Sequence, residues 1–242
     1  AVLRLSGGDA DAAAPVDLEG PFTVEAWVTL EPGIDNRDSL LGGDGVIDMN
    51  FHDGHFRVWT KEHGDVVIAK ATALPGTWTH YAVTRDAAGA IRVYVNGELD
   101  AEGTVRDASP YRGLRIGYST PKGAGTKGRI AEFRVWNVPR TAAEVRTDFD
   151  RSYTGDDARP ASLVSFHGGA SWGDLAGTAR VEPALDAPRL ATAAEAQARA
   201  EKFARFRALA DAPGDAARGR TVFTTRCLTC HQQGGQGGRI GP

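Results

Sequence analysis

The sequence predicts a mainly β protein: an antiparallel β-sandwich, followed by a helical linker and a small α-helical segment. Three observations favour the sandwich. Apolar and polar residues alternate along several short runs, an Asn-Gly pair joins two runs, and turn residues separate the others at short, regular spacing. The strand–helix–strand order typical of parallel sheets does not occur. A chain of 242 residues can hold one large domain and a smaller one.

The first long strand is predicted at residues 22–30, where every even-numbered residue is apolar and the odd-numbered ones are Thr23, Glu25, Trp27 and Thr29. Alternate side chains point to opposite faces of a strand, so the even-numbered face is expected in the core. Residues 91–95 alternate similarly and lead into Asn96-Gly97, the preferred type I′ turn, which predicts a hairpin over 90–100. Further strands are predicted at 2–5, 45–50, 55–60, 66–70, 77–84, 114–117, 129–136, 163–166 and 178–181.

Three helices are predicted from the residues that would cap them. Thr141 and Glu144 form a capping box ahead of a short helical turn that ends near residue 149. Thr192 and Glu195 form a second capping box, which opens an Ala-rich helix to about residue 212. After Pro213 and Gly214, Asp215 is a good N-cap for a third helix that leads to residue 227.

Six segments, taken in their order along the chain, carry a family resemblance: FTVEAWV (22–28), WTHYAVTRD (78–86), RVYVNG (92–97), LRIG (114–117), GRIAEFRVWN (128–137) and RTAAEV (140–145). Together they resemble laminin-G-like, concanavalin A-like jelly rolls of the pentraxin type, over roughly residues 1–185. The resemblance implies two curved antiparallel sheets of about a dozen strands. It also implies that the concave face or the loop rim binds a glycan or a partner protein, often beside Ca²⁺.

Possible Ca²⁺ ligands follow from this resemblance, because Ca²⁺ takes several oxygen ligands. Asp9 and Asp11 near the first strand are the main candidates, with Asp44 and Asp48 around the next glycine-rich turn. The alternative is that these residues only form turns, as Asp often does. The family often has Asp where this sequence has Ala131, which speaks against a calcium site.

Aromatic residues on the sandwich are candidates for stacking on a sugar ring. Trp27, Trp59 and Tyr94 are the three considered, and the alternative for each is a packing role on the second layer of a sheet.

A different signal lies near the end of the sequence, where residues 227–231 spell C-x-x-C-H. This is the attachment motif of a covalently bound c-type haem. Cys227 and Cys230 would form thioethers with the haem vinyl groups, and His231 would be the proximal iron ligand. These are the only two cysteines. A disulfide, half of a zinc site and a thioredoxin-like pair are the alternatives, but zinc usually needs four ligands and a thioredoxin pair needs a βαβ context.

The flanks of the motif resemble the N-terminal part of a class I c-type cytochrome domain. Gly219 and Phe223 precede it at matching spacing, and a Gly-Pro pair at residues 241–242 follows it. The resemblance implies that the Pro242 carbonyl accepts a hydrogen bond from His231 Nδ1. Class I cytochromes continue to a distal Met or His, so the haem segment is expected to be incomplete. Candidate sixth ligands within the sequence are His52, His55, His63, His80 and His167, each expected to be an ordinary surface or strand residue.

Net charge and hydropathy limit which kinds of partner are expected. The net charge is −3, made up of +4 in residues 191–242 and −7 in residues 1–190, so nucleic acid is not expected as a partner. No run approaches about 20 apolar residues, so no membrane span is expected. The sequence begins at Ala1 without an initiator Met, which is consistent with a mature periplasmic or extracellular chain whose signal peptide has been removed, or with an engineered one.

Two functions are consistent with the sequence, which we divide into a sandwich (1–185), a helical linker (186–213) and a cytochrome c-like segment (214–242). The first is an extracytoplasmic c-type cytochrome that passes single electrons to a redox partner protein, with a module that binds a glycan or a protein. The alternative is a lectin-like binding module whose haem segment is a truncated stub. A glycosidase is not favoured, because Glu25, Glu98 and Glu132 form no recognisable carboxylate pair.

Overall fold

The computed structural model describes residues 1–14, 17–106, 110–120, 125–153, 162–164, 174–210 and 213–238. The chain divides into two compact units, Ala1–Ala196 and Gln197–Pro242. The first unit is an antiparallel sandwich of an eight-stranded and a seven-stranded sheet. Its strands are β1 (Val2–Ser6), β2 (Asp11–Ala13), β3 (Phe22–Leu30), β4 (Ser39–Gly43), β5 (Ile47–His52), β6 (His55–Thr60), β7 (Gly64–Thr72), β8 (Thr79–Arg85), β9 (Ala90–Val95), β10 (Glu98–Thr104), β11 (Arg115–Ile116), β12 (Lys127–Trp136), β13 (Ser162–Val164), β14 (Leu175–Ala176) and β15 (Arg180–Glu182).

The two sheets differ in which strands lie at their edges. The eight-stranded sheet has the order β10-β9-β8-β3-β12-β1-β15, with β13 also paired to β12. The seven-stranded sheet has the order β14-β2-β11-β4-β5-β6-β7. The sequence prediction of a mainly β antiparallel sandwich is therefore confirmed, and the two sheets give it a jelly-roll-like architecture. Strand β3 has the predicted bounds, and Asn96-Gly97 joins β9 to β10 with φ angles of 49° and 83°.

The core lies between the inner faces of the two sheets. From β3 it receives the even-numbered residues predicted to face inward, all of them buried. The rings of Phe51, Phe56 and Tyr81 meet there with centroid separations of 4.8 to 5.3 Å. Met49, the only methionine, is fully buried in the same core. Burial of this apolar surface is the main favourable contribution to folding of the sandwich.

The outer face of the eight-stranded sheet is also covered. Helix α1 (Ala142–Asp148) begins at the predicted capping box, in which Thr141 and Glu144 cap each other. Its Val145 is fully buried against Ala82 and Tyr94. The odd-numbered face of β3 consequently lies beneath α1 and its flanking segments.

The second unit contains most of one helix, all of another and one small hairpin. Helix α2 (Ala193–Ala210) follows the second capping box. Helix α3 (Ala216–Arg226) begins after Asp215, whose Oδ1 accepts hydrogen bonds from the backbone N–H groups of Ala217 and Arg218. Strands β16 (Gln232–Gln233) and β17 (Gln236–Gly237) form the hairpin. Among the described residues, no helix is both long and apolar enough to cross a membrane.

Candidate functional site

The outer face of the seven-stranded sheet carries exposed and half-buried polar groups around one tryptophan. Strand β6 has the sequence HFRVWT, in which Phe56 and Val58 enter the core. Arg57 and Trp59 therefore point outward, because alternate side chains of a strand lie on opposite faces. The register places Trp59 opposite Asp48 on one side and opposite Asp65 on the other. Directly opposed residues have Cβ atoms about 5 Å apart, so the indole is flanked by two carboxylates.

A guanidinium is held beside the indole. Arg57 Nε donates to Asn50 Oδ1 at 3.0 Å, and Arg57 Nη1 donates to Asp65 Oδ1 at 2.9 Å. These bonds fix the plane of the guanidinium and neutralise part of the Asp65 charge. Trp59 and Arg57 are partly buried, whereas Asp65 is exposed. We call Asn50, Arg57, Trp59 and Asp65 the indole patch.

A loop borders the indole patch on the side of β5. Backbone N–H and Oγ1 of Thr120 both donate to the carboxylate of Asp48, at distances of 3.1 to 3.2 Å. The same loop crosses β4 at Gly42, where a Cβ atom would stand 2.4 Å from the Tyr118 carbonyl oxygen. A side chain at position 42 would therefore displace the loop. Burial raises the pKa of Asp48, although the hydrogen bonds from Thr120 partly oppose this.

The structure separates the three aromatic candidates for sugar stacking. Trp27 donates from Nε1 to the Phe149 carbonyl oxygen at 3.1 Å, and its ring lies 5.9 Å from the Phe149 ring. Tyr94 is 2% exposed and packs against α1. Both therefore have the packing role given as the alternative. Trp59 alone of the three lies on the outer face of the seven-stranded sheet.

The predicted calcium ligands are placed as follows. Asp11 is buried, and its Oδ1 accepts from Arg115 Nε at 2.7 Å, so its charge is already compensated. Asp9 is exposed. Among the residues that the structure describes, no group of three or more His, Cys, Asp or Glu side chains is arranged to hold a metal ion. Calcium binding through Asp9 and Asp11 stays a prediction.

A buried cluster of charges lies beneath α1. Glu25 is fully buried and accepts a hydrogen bond from Trp136 Nε1 at 2.7 Å. Arg140 Nη1 lies 3.3 Å and Arg134 Nη1 3.6 Å from its Oε1, and His80 Nε2 lies 3.2 Å from its Oε2. Burial alone would raise the pKa of Glu25, but the imidazole and both guanidinium groups lower it well below its ordinary value. Such a carboxylate is a permanently charged structural anchor, not a proton donor.

The other two carboxylates considered for glycoside hydrolysis, those of Glu98 and Glu132, are also not placed as a pair of catalytic groups. Glu98 is exposed and paired with Arg146 at 2.5 Å, and Glu132 is buried. The histidines considered as sixth haem ligands differ in placement: His80 is buried beside Glu25, His52 is paired with Asp53, and His167 lies outside the described residues.

The C-x-x-C-H motif follows directly on α3. Cys227 is the C-cap of that helix, and its carbonyl oxygen accepts from the N–H groups of Cys230 at 3.1 Å and His231 at 2.9 Å. These backbone hydrogen bonds place the two cysteines and the histidine in one turn. Both thiols are free, Cys230 is exposed, and Cys227 and His231 are partly exposed. Pro242 lies outside the described residues.

A cavity of about 680 Å³ lies beside this turn within the second unit. Gly219, Phe223 and Leu228 contribute to its lining, together with Arg220 and Gly234. The donor set fits a c-type haem, because it supplies two thiols for thioether bonds and one imidazole for the iron.

Comparisons with known proteins agree with the sandwich. The family model of the concanavalin A-like lectin/glucanases superfamily matches residues 6–146, more than half of the chain. A candidate carbohydrate-binding protein from Bacteroides ovatus has a similar structure, with a TM-score of 0.57 and 18% identity; the match covers 72% of this chain and 54% of that one. The chain thus spans about half the length of that protein.

Two further structures match with lower TM-scores. The heptameric SAP-like pentraxin of Limulus polyphemus has a TM-score of 0.46 and 14% identity, over 75% of this chain and 85% of that one. Domain 4 of an extracellular arabinanase from Geobacillus stearothermophilus, in complex with arabinotriose, has a TM-score of 0.46 and 22% identity, over 56% of this chain and 68% of that one. No curated protein matches the sequence. On the match over residues 6–146, the chain belongs to the concanavalin A-like lectin/glucanases superfamily.

Proposed function

We propose that the sandwich is a carbohydrate-binding module and that the indole patch is its glycan surface. The observation that carries this proposal is the placement of Trp59 on an outer sheet face between two carboxylates and beside a guanidinium. Membership of a lectin and glucanase superfamily and likeness to a candidate carbohydrate-binding protein support it.

The chemistry of the patch suits a sugar. The C–H face of a sugar ring is apolar and can pack on an indole, while its hydroxyl groups need both donors and acceptors. Around the ring the patch offers the guanidinium of Arg57 as a donor and the exposed carboxylate of Asp65 as an acceptor. Because Arg57 is held by two hydrogen bonds, little side-chain freedom is lost when a sugar binds.

Asp48 supports the patch by holding the loop at its border. Both oxygens of its carboxylate accept hydrogen bonds from Thr120, which holds the loop in place. We therefore assign Asp48 a positioning role, in which its carboxylate fixes Thr120 beside Trp59.

Binding without catalysis is the activity proposed. Retaining and inverting glycosidases need two carboxyl groups facing each other across the scissile bond, one of them with a raised pKa. Glu25, the most perturbed glutamate, has a lowered pKa and lies beneath α1.

The test is a panel of immobilised neutral and acidic polysaccharides probed with the whole chain, with and without calcium. The proposal expects saturable binding to at least one polysaccharide, which Trp59→Ala weakens by about thirtyfold. Absence of binding to every member of the panel would overturn it. A loss of binding in a calcium chelator would identify a metal-dependent site and lend weight to Asp9 and Asp11.

A second function, electron transfer through a covalent haem c, is favoured by one specific observation. Cys227, Cys230 and His231 lie in one turn with both thiols free. We propose that the thiols anchor the haem and that His231 is its proximal ligand, with the Pro242 carbonyl orienting the imidazole. When bound, the haem would supply a one-electron redox centre to a redox partner protein.

The haem proposal is tested in cells that carry c-type maturation machinery. We expect a c-type pyridine haemochrome spectrum and a covalent haem mass in the wild-type chain, and neither in a variant with Cys227→Ser and Cys230→Ser. Unmodified mass of the wild-type chain in such cells would contradict the proposal. Covalent haem c is attached outside the cytoplasm, so the haem proposal agrees with a periplasmic or extracellular location.

A further inference from the structure

A groove of about 520 Å³ runs along one edge of the sandwich. Its walls are β7, the last strand of the seven-stranded sheet, and β10, the first strand of the eight-stranded one. The volume falls within the range of about 300 to 1,000 Å³ that is usual for small-molecule sites. Apolar residues Val66, Ile68 and Leu99 line it, together with Asp65, Lys70, Asp100 and Glu102.

The groove walls are fixed to each other. The carboxylate of Asp100 accepts hydrogen bonds from the backbone N–H groups of Lys70 at 2.5 Å and Ala71 at 3.2 Å. Further along β10, a Cβ atom at Gly103 would stand 2.1 Å from the Val66 carbonyl oxygen, so the two strands touch there. The groove is therefore preformed, and a ligand would bind without a large ordering penalty.

The same contacts argue against a protein strand as the occupant. A peptide that adds to a sheet edge needs the free backbone N–H groups of that edge. On β7, the N–H groups of Lys70 and Ala71 are already occupied by Asp100.

The groove is continuous with the indole patch. Asp65 lies opposite Trp59 in the sheet and also lines the groove. Ile68 lies opposite Arg57, lines the groove and is 42% exposed. Leu99, on the far wall, is 47% exposed. Two exposed apolar side chains, Ile68 and Leu99, therefore line the groove beside the indole patch, with polar groups next to them.

The charge of the groove selects among glycans. Three carboxylates, those of Asp65, Asp100 and Glu102, line it with the amine of Lys70, while Arg57 pairs with Asp65 and Arg92 pairs with Glu102, so the groove carries no excess of positive charge. Carboxylates accept hydrogen bonds from sugar hydroxyl groups, but they repel the carboxylates of uronic acids and the sulfate groups of sulfated sugars. The groove therefore favours a neutral chain.

We propose that the groove is a second subsite, so that the module binds an internal stretch of a neutral polysaccharide that extends from the indole patch over the edge of the sandwich. This rests on the proposed function, because the first subsite is the indole patch. A chain of only two sugars placed on Trp59 would not fill the groove, whereas a longer chain would occupy both subsites.

The test compares chain lengths by isothermal titration calorimetry on the whole protein. The probes are neutral xylo-, arabino-, gluco- and manno-oligosaccharides of two and six units, with a six-unit oligogalacturonate as the anionic arm. For a neutral series that binds, we expect the six-unit chain to bind at least about tenfold more tightly than the two-unit chain, equivalent to about 1.4 kcal/mol. The oligogalacturonate is expected not to bind.

Substitutions in the groove test whether it causes the gain in affinity for the six-unit chain. Leu99→Asn and, independently, Ile68→Gln are expected to remove most of the gain for the six-unit chain and to leave two-unit affinity unchanged. Leu74→Asn is the matched control, because Leu74 is 60% exposed and lies outside the groove.

The outcomes separate the two proposals. Equal wild-type affinity for both lengths, or an unchanged six-unit affinity in both groove variants, overturns the second subsite and leaves the indole patch standing. Equal binding of oligogalacturonate overturns the preference for neutral chains. Failure of every oligosaccharide to bind overturns the proposed function, and the second subsite with it.

Discussion

Replacing Trp59 with alanine removes the indole on which the proposed sugar ring packs. One sugar on an indole removes on the order of 80 Å² of apolar surface from water, counting both partners, and at about 25 cal/mol per Å² this contributes about 2 kcal/mol. The expected consequence is a rise in Kd of about thirtyfold. Arg57 and Asp65 keep their mutual hydrogen bond in the variant, because neither bond of Arg57 involves the indole.

The assay is calorimetric titration with the oligosaccharide that the wild-type chain binds, after urea unfolding has shown that the variant is folded. Trp78→Ala is the matched control. Trp78 is also partly buried, but it lies under the Arg129 guanidinium, 5.3 Å from the ring centroid, away from the indole patch. Affinity of Trp59→Ala within twofold of wild type would refute the reasoning, as would an equal loss in Trp78→Ala.

Three further predictions concern stability. Glu25→Gln is expected to lower the free energy of unfolding by about 3 to 5 kcal/mol in urea titrations, because Arg134 and Arg140 would keep buried charges without their shared partner. A loss below about 1 kcal/mol would show that the buried cluster does not stabilise the fold. Asp48→Asn is expected to raise the free energy of unfolding at pH 7. The amide keeps an oxygen that accepts from Thr120, and it replaces a carboxyl group whose pKa burial has raised. A lower free energy of unfolding would contradict this. Burial lowers the pKa of His80, so below about pH 6.5 the unfolded chain binds a proton that the folded chain does not. The free energy of unfolding is therefore expected to fall as the pH is lowered, with a slope approaching about 1.4 kcal/mol per pH unit. His80→Gln is expected to remove this part of the slope, and an unchanged pH profile in that variant would contradict the role of His80.

The strands could be predicted where apolar and polar residues alternate. Residues 22–30 and 55–60 alternate, and they form β3 and β6 with those bounds. Strand β4 lacks this alternation, because Leu40 and Leu41 are adjacent and two glycines follow, so the pattern does not predict it. The pairing of β4 with β5 shifts register between Ser39 and Leu41, which lets both leucines be buried.

The candidate site could be predicted only in part. Alternation in β6 indicates that Arg57 and Trp59 share a face, but it does not indicate whether that face is open. The analogous face of β3 has Glu25 and Trp27, and α1 and its flanking segments cover it. Which face is covered depends on contacts between residues more than 100 positions apart, such as Trp136 with Glu25.

The groove and the border loop were not predicted, because both depend on long-range pairs without a local pattern. Asp48 and Thr120 are 72 positions apart, and Lys70 and Asp100 are 30 apart. The capping boxes at Thr141 and Thr192, by contrast, are local, and both form as predicted.

Contact between a glycan and Trp59 can be observed directly in solution. In a protein with ¹⁵N-labelled tryptophan, the five indole N–H signals can be followed while a neutral six-unit oligosaccharide is added, with Trp59→Phe used to assign one of them. We predict a saturable shift of the Trp59 signal while those of Trp27 and Trp136, which are bonded within the protein, stay in place. A Trp59 signal that stays still at saturating oligosaccharide, or at millimolar concentrations of every neutral oligosaccharide tried, would contradict the account.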